Sequence, residues 1–560
     1  MLTLSTRDKY LTLLDAVTLA QPESDRPAII FVATDADPVH ISRQQFSNAA
    51  TEYAAALTKL NIAEGDLVII AHTQNLESIY AFWGAMLIGA IPSMFPTLTE
   101  KLDPEIYMRD IGELVTKSAV KAILTTDSFA PTLAEWVSCP VYGSQTIKAS
   151  NNTCEVLEYA QPMPSATAFL QHSSGTTGLQ KGVALSHEAV LNQLAAYSDA
   201  LKLNENDVIV SWLPLYHDMG LIAGFVQPLV QGVPLVLMSP FDWVRHPAML
   251  LKAIRDYKTT LCWLPNFAYN HLARTVRQRD SEGIDLSSIR AFINCSEPVR
   301  DDSHRLFAER FAINGITLKQ LTVSYAMAEN TFAVTQSAID SETKVDLVDR
   351  QGLQNNLTAS VATDVEKGEK VVSCGKPIHG TMVRVVNDNG QALGERQVGE
   401  IMVKSNCMLT NYYHRDDLQP FDEDGWYKTG DKGYLADGEV YIVGRSKDLI
   451  INAGKNVYPQ DIEAIVNSVA GVHPGRAVAF GVPDEREGTE LIAVVAEADV
   501  SDAAARKQLT QAIRQQVGRQ SDITLSFVTL VNKGWLIKTS SGKIARGKNR
   551  EKWLAERQAQ

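Results

Sequence analysis

Residues 171–183 read QHSSGTTGLQKGV, and their reading decides the fold. The stretch follows a run of strand formers, TAFLQ at 167–171. It precedes SHEAVLNQLAAY at 186–197, a helical pattern that Ser186 is placed to cap. A strand, a tight polar loop and a helix make one unit of a βα architecture. Residues 173–178 hold two serines, two threonines and two glycines, a dense set of hydroxyl and backbone N–H donors. The glycines let main chain approach an anion closely, and Lys181 adds a mobile positive charge. That is the chemistry needed to hold a polyphosphate. A Walker A loop is excluded, because it would need glycine at 180, where Gln180 stands. Composition alone also allows a polar surface loop.

Outward from this unit the βα alternation continues. LVIIAH (67–72), KAILTT (121–126) and VIVSWLPL (208–215) read as strands, and ESIYAFWGAMLIGA (77–90) as a helix. The pattern predicts parallel sheets with helix-covered faces. From about 375 the character changes to short strands separated by turns, with hairpin signals at 388–390 and 437–438. After Gly444 come helix, strand, strand and helix (DIEAIVNSVA, RAVAFGVP, LIAVVAEA, 503–517), enough for a small α+β domain of about 115 residues. We therefore expect an α/β protein. A large N-terminal domain of helix-covered sheets, 1–444, would include a β-rich subdomain at about 375–444. A small mobile α+β C-terminal domain, 445–560, would follow.

The chain has 560 residues, too many for one ordinary core. A formal net charge of −13 argues against nucleic acid as a partner. Six scattered cysteines form no zinc-like cluster and fit a reducing compartment. The opening MLTLSTRDKYLTLLDAV carries charges where a signal peptide needs an apolar run. The two most apolar stretches, 79–96 and 221–238, are interrupted by Gly, Pro or Gln and fall short of an unbroken span of about 20 residues. A cytoplasmic enzyme without a transmembrane segment is the expectation.

The segment SSGTTGLQKGV resembles the signature of the adenylate-forming superfamily, which includes acyl-CoA synthetases, nonribosomal adenylation domains and luciferases. Six further motifs match in order: SWLPLYHDMGL (211–221), NCSEPV (294–299), YAMAE (325–329), YKTGD (427–431), GRSKDLIINAGKNVYPQDIE (444–463) and TSSGKIAR (539–546). The wording of LPLYHDMGLI, SEP and KNVYPQDIE is most similar to the fatty acyl-AMP ligase branch. The resemblance implies attack of a carboxylate on the α-phosphorus of ATP, with pyrophosphate leaving. Catalysis of such a step is mostly positioning and charge stabilisation.

The resemblance also implies residue roles. Ser173, Ser174, Gly175, Thr176, Thr177, Gly178 and Lys181 would hold the β- and γ-phosphates. Glu329, with Thr176 as a possible helper, would hold Mg²⁺. Ser296, Glu297, Pro298, Tyr325, Ala326 and Met327 would form the nucleotide pocket, Tyr325 lying against adenine. Asp431, assisted by Arg445, would accept hydrogen bonds from the ribose hydroxyls. Lys543 would touch both the substrate carboxylate and the α-phosphate and offset charge in the transition state. His217 would line the acyl pocket. A metal role for the His217–Asp218 dipeptide lacks a third ligand at useful spacing. Lys447, within GRSKD, would be the hinge on which the small domain turns between two half-reactions.

Between Glu329 and Cys374 lie 44 residues, more than acyl-CoA synthetases usually have there. The excess, about 341–372, is similar to an insertion of the fatty acyl-AMP ligase branch, which passes the acyl group to a phosphopantetheinylated acyl carrier protein. CoA is the alternative acceptor, and an inactive nucleotide-binding relative is the alternative of another class. A loop with Gln180 where Pro is common, and Ala326 in place of Gly, depart from the pattern without touching adenylation. Trp212, Phe241, Trp243, Trp263, Phe267 and Tyr269 are candidates for an acyl tunnel.

Overall fold

The computed structural model describes the chain apart from residues 20–25, 74–75, 100–103, 150–157, 173–180, 453–454, 485–488, 501, 522, 540–541 and 559–560. Two sheets organise the first 330 residues, and each is parallel in its middle. Strands such as Leu67–Ile70 (LVII) and Leu235–Met238 (LVLM) are buried at every position, as a strand covered on both faces must be. The larger sheet has nine strands. Six run parallel in the order Leu321–Ala326, Ala291–Asn294, Leu261–Leu264, Ile209–Ser211, Leu235–Met238 and Ile29–Val32. Antiparallel strands close both of its edges. The second sheet has seven strands, with Thr167–His172, Ile91–Met94, Leu67–Ile70, Ala122–Thr125 and Val141–Gly143 in one parallel run that ends at the Val141–Gly143 edge.

The strand expected over 208–215 is only Ile209–Ser211. Pro214 has no N–H to give a ladder, so the chain leaves the sheet and runs as a loop to Asp218. This matters because ligands of open α/β sheets gather beyond the carboxyl ends of strands. The segments that follow Thr167–His172, Ile209–Ser211, Ala291–Asn294 and Leu321–Ala326 are the ones that carry the phosphate loop, LPLYHD, CSEP and MAE.

An antiparallel four-stranded sheet follows: Thr381–Val386, Gly399–Ser405, Tyr427–Ala436 and Glu439–Arg445. Its last hairpin turns on Asp437 and Gly438 alone, both at positive φ (54° and 74°), the handedness that two-residue hairpins require. Residues 341–372 fold into the antiparallel pair Val345–Asp349 and Gly368–Val372 with the helix Arg350–Asn356 between them. Its apolar side joins Tyr434, Tyr441 and Tyr458 in one cluster. Beyond residue 449 a separate core forms around Ile462, Val494 and Ile513, from the helices Pro459–Ser468 and Ala503–Ser521 and the three-stranded sheet Ala477–Asp484, Thr489–Glu497, Phe527–Val531.

Three segments meet where that core faces the larger sheet. Arg300 Nη2 donates to Asp461 Oδ1 at 2.7 Å and to the Gln460 carbonyl at 3.1 Å. Lys370, on the inserted strand, pairs with Asp301 at 2.7 Å. Its neighbour Glu369 faces both Asp461 and Arg300. Burial and the Asp461 carboxylate push the Glu369 pKa from 4.5 up to about 8, against the pull of Arg300 and Arg350. The folded chain then keeps a proton that the unfolded chain loses first. Stability drawn from this contact therefore falls as pH rises from about 4.5 to about 8, and the loss is complete above that. Glu369→Gln, which keeps the neutral form at every pH, is expected to melt higher than the parent at pH 9, with the gap narrowing toward pH 5 in thermal unfolding scans. Parallel melting curves for the two proteins across that range would contradict the assignment.

Candidate active site

Antiparallel pairing sets the first part of the site. Asp431 and Arg445 are register partners on adjacent strands, and Arg445 Nε donates to Asp431 Oδ1 at 3.1 Å. The other carboxylate oxygen accepts the Tyr325 hydroxyl at 2.6 Å. Tyr325 sits one residue before the end of the strand Leu321–Ala326, with a register shift between it and Ala326. Burial, then the Asp431 charge, push the Tyr325 phenol well above its usual range. Arg445 is held in its charged form first by Asp431. The strand carrying Arg445 ends in the single turn Ser446–Asp448, where Lys447 lies.

Met327 bonds its N–H to the Phe332 carbonyl at 2.9 Å, and the turn Ala328–Asn330 that follows presents Glu329. Glu329 Oε1 accepts the Tyr412 hydroxyl at 3.2 Å, and Tyr412 in turn contacts the Tyr427 hydroxyl at 3.0 Å. Burial pushes the Glu329 pKa up, opposed by its own backbone and by these hydroxyls. The Lys181 ammonium lies over the Tyr412 ring, 4.8 Å from its centre. Lys181 and Glu329 thus share Tyr412 as a neighbour. Ser173, Ser174, Gly175, Thr176, Thr177 and Gly178 lie outside the described residues.

Ser296 takes a positive φ of 70°, which turns the chain sharply after the strand Ala291–Asn294. Pro298 follows at the end of this turn. The Glu297 side chain accepts the Phe267 N–H at 2.9 Å, at the start of the helix Asn266–Thr275.

His217 and Asp218 end the loop from Ile209–Ser211. His217 Nδ1 lies 2.6 Å from Asp218 Oδ1, which also accepts the Met219 N–H at 2.7 Å and so caps the buried π-helix Met219–Val226. π-turns are rare and recur at functional sites. Gly220 is required here, since a Cβ would lie 2.2 Å from the Pro214 carbonyl oxygen.

Lys543 belongs to a turn closed by Thr539 N to Lys543 O at 2.7 Å and Lys543 N to Thr539 Oγ1 at 3.2 Å. Three residues on, Arg546 pairs with Asp448 at 2.6 Å and with Glu463 at 2.9 Å. The ammonium reaches the larger sheet's loops. Burial lowers its pKa, Glu297 and Asp218 oppose that, and Arg445 and Cys295 are also in range. Residues from three other motifs, LYHDMG, NCSEP and GRSKD, therefore bear on one cation.

The aromatic candidates separate. Trp263 donates its indole N–H to the Tyr197 hydroxyl at 2.9 Å, and Trp263 and Tyr269 are sealed in the core. Trp212 stacks on Trp243 at 3.7 Å, with Phe267 at the edge of both. Of the six only Phe241 lines the ≈ 20 Å³ cavity beside the reaction loop, with Ile70, Met94, Phe95, Leu215 and Tyr216. Sequence reading missed Asp218, Tyr412, Tyr427 and Arg546 as site residues. Tyr427, Arg546 and Asp218 lie inside quoted motifs, Asp218 weighed there only for a metal role that was set aside, and Tyr412 carries no local signal.

Comparisons with known proteins agree on one family. A sequence profile described as AMP-binding enzyme matches residues 17–413. The medium-chain-fatty-acid–[acyl-carrier-protein] ligase JamA of Moorena producens is 31% identical over 98% of this chain and 96% of its own. The long-chain-fatty-acid–AMP ligase FadD26 of Mycobacterium bovis is 29% identical over 96% of each. A structure from a study of fatty acyl-adenylate ligases of E. coli and L. pneumophila superposes with a TM-score of 0.90 at 28% identity, covering 98% of this chain and 99% of that one.

Gly220→Ala is expected to lower stability by about 2–3 kcal/mol, since neither contact atom of the Pro214 backbone can yield cheaply. An unchanged midpoint in chemical denaturation would show that the π-helix tolerates the methyl group.

Proposed function

The chain belongs to the AMP-binding enzyme family, and from that membership we propose that it activates a fatty acid with ATP and passes the acyl group to the phosphopantetheine thiol of an acyl carrier protein. In the first step a carboxylate oxygen attacks the α-phosphorus and pyrophosphate leaves. In the second the thiol attacks the acyl carbonyl and AMP leaves. The observation that carries this reading is the Lys543 ammonium, delivered by the C-terminal loop among Glu297, Asp218 and Arg445. A cation so placed offsets charge on both reacting anions.

Asp431 suits the ribose, because each carboxylate oxygen keeps a second lone pair beyond those given to Tyr325 and Arg445. Tyr325 would lie against adenine, with Ser296–Pro298, Ala326 and Met327 around it. Residues 173–178 and Lys181 would hold the β- and γ-phosphates. A single carboxylate ringed by hydroxyls fits a metal that keeps most of its ligands as phosphate and water. Glu329, with the Thr176 hydroxyl, would hold Mg²⁺, whose chemistry there is to neutralise the departing phosphates. His217 would face the acid, and Phe241 and Tyr216, whose cavity of ≈ 20 Å³ has room for little more than a water, would have to part to admit its chain. Trp263 and Tyr269 are not proposed for the tunnel.

We further divide the chain into 1–444 and 445–560, with Lys447 as the pivot. The choice of carrier protein over CoA is supported by the kinship with JamA and by residues 345–372. That segment bonds to the small core through Asn456 Nδ2 and the Gln354 carbonyl at 2.9 Å.

Lys543→Ala is expected to slow adenylate formation by about 10²–10³-fold while leaving ATP binding within a few-fold, read as pyrophosphate release with dodecanoate. Adenylate made at the parent rate would remove the central claim. Lys447→Pro should impair thioester formation more than adenylation when the half-reactions are timed separately; equal losses would move the pivot elsewhere. Offered CoA and phosphopantetheinylated carrier protein in parallel, the acyl-AMP should persist with the first and be consumed by the second. Acyl-CoA as the main product by mass spectrometry would reverse the acceptor.

A further inference from the structure

Asp218 is a buried anion whose part in the reaction as described so far is only to balance the charge of Lys543. Its side chain is 10% exposed, in the middle of the site. Burial alone would keep it protonated. The charge and hydrogen bond of His217, the Lys543 ammonium and the Met219 N–H overcome that and hold it ionised. One oxygen, Oδ1, serves both the His217 ring and the Met219 backbone. The backbone around it is immobilised from both sides. The His217 N–H bonds to the Pro214 carbonyl at 3.2 Å, and the His217 carbonyl accepts the Leu221 N–H at 2.8 Å.

We propose that Asp218 is a positioning residue, which commits the His217 Nδ1 proton to its own Oδ1 and thereby leaves Nε2 as the ring nitrogen that meets the carboxyl group of the acid. With the ring charged, a carboxylate on the Nδ1–H leaves the Nε2–H as the donor that meets the acid's carboxylate. A fixed carboxylate on Nδ1 also stops the ring from turning over, so the acid always meets the same nitrogen at the same angle. Positioning of this order is worth much of a barrier, because misplacement by about 1 Å can cost about 10²-fold. The π-helix is part of the device. Its first N–H lies 2.7 Å from the same Oδ1 and 3.4 Å from Nδ1, which fixes the carboxylate and the ring against each other.

The inference rests on His217 facing the acid. A double-mutant cycle tests it with ATP, Mg²⁺ and dodecanoate, following adenylate by mass spectrometry. The variants are Asp218→Asn, His217→Ala and both together. Asparagine preserves the cap, since its side-chain oxygen can still accept the Met219 N–H. It can equally turn its NH₂ toward Nδ1, which then accepts, so the ring gives up the charge with which it meets the acid. Asp218→Asn is expected to lower kcat/KM for dodecanoate by roughly 10²-fold. KM for ATP should change little. In the His217→Ala background the same substitution should cost less than about 3-fold, because the ring it positions is gone. The pH profile of the single variant should also shift, and Asp218→Glu should recover part of the rate.

Full additivity of the two losses would overturn the proposal and reduce Asp218 to a helix cap. So would parent activity in Asp218→Asn. If Asp218→Asn melts much lower than the parent, the Asp218→Glu variant and its pH profile decide the question, with an unmoved profile counting against. Failure of the parent enzyme itself to form any adenylate would sink the activity proposed above and is a separate result.

Discussion

A cation cannot be taken out of water without a partner, and the whole site is arranged around that rule. Lys543 belongs to the last folded unit of the chain, yet its ammonium is compensated by Glu297 and Asp218 from loops of the nine-stranded sheet. Those loops are neighbours only because Ala291–Asn294 and Ile209–Ser211 lie close in a parallel sheet and end at the same edge. Parallel pairing, itself a consequence of strands with no polar face, is thus what gives the ammonium somewhere to go.

The same edge distributes its negative charge with care. Asp431 is claimed by Tyr325 and Arg445, Asp218 by His217 and Met219, and Glu329 by the hydroxyl of Tyr412. Asp431 and Asp218 each have two such partners and Glu329 has one. Glu329 has the weakest set, and burial pushes its pKa up. Such a group gains most from a hard cation. Asp431 has the strongest, a phenol at 2.6 Å and a guanidinium at 3.1 Å. The division of labour among three acids follows from what each one touches.

Much of this was legible in the sequence where chemistry and chain order coincide. The loop 173–181, LPLYHD, CSEP and MAE are continuous runs, each following a strand end, so their order announces the fold. The small core was readable from the helical period of DIEAIVNSVA and the apolar run LIAVVAEA. Contacts between distant segments were not. Nothing near Tyr412 says that its hydroxyl meets Glu329, 83 positions away, and nothing in Glu369 foretells Asp461 and Arg300. The aromatic residues mislead for a related reason. A tryptophan such as Trp263 has the same composition in a core as in a channel, and only the Tyr197 hydroxyl at its indole nitrogen distinguishes the two. The long strand expected at 208–215 overlooked Pro214, and the loop that Pro214 starts is the one that bears His217.

Two anchors sit almost side by side along the backbone. Arg445 is tied to Asp431 within the four-stranded sheet, and Asp448 is tied to Arg546 at the end of the Lys543 turn. Only Ser446 and Lys447 separate them. On the proposed pivot, a tether of two residues would permit swing but almost no slide, so the lysine's turn would be constrained to arcs about a nearly fixed axis. Its distance from that axis would be set by the Arg546 clamp, like the radius of a compass, and the proposed phosphates would need only lie on the circle.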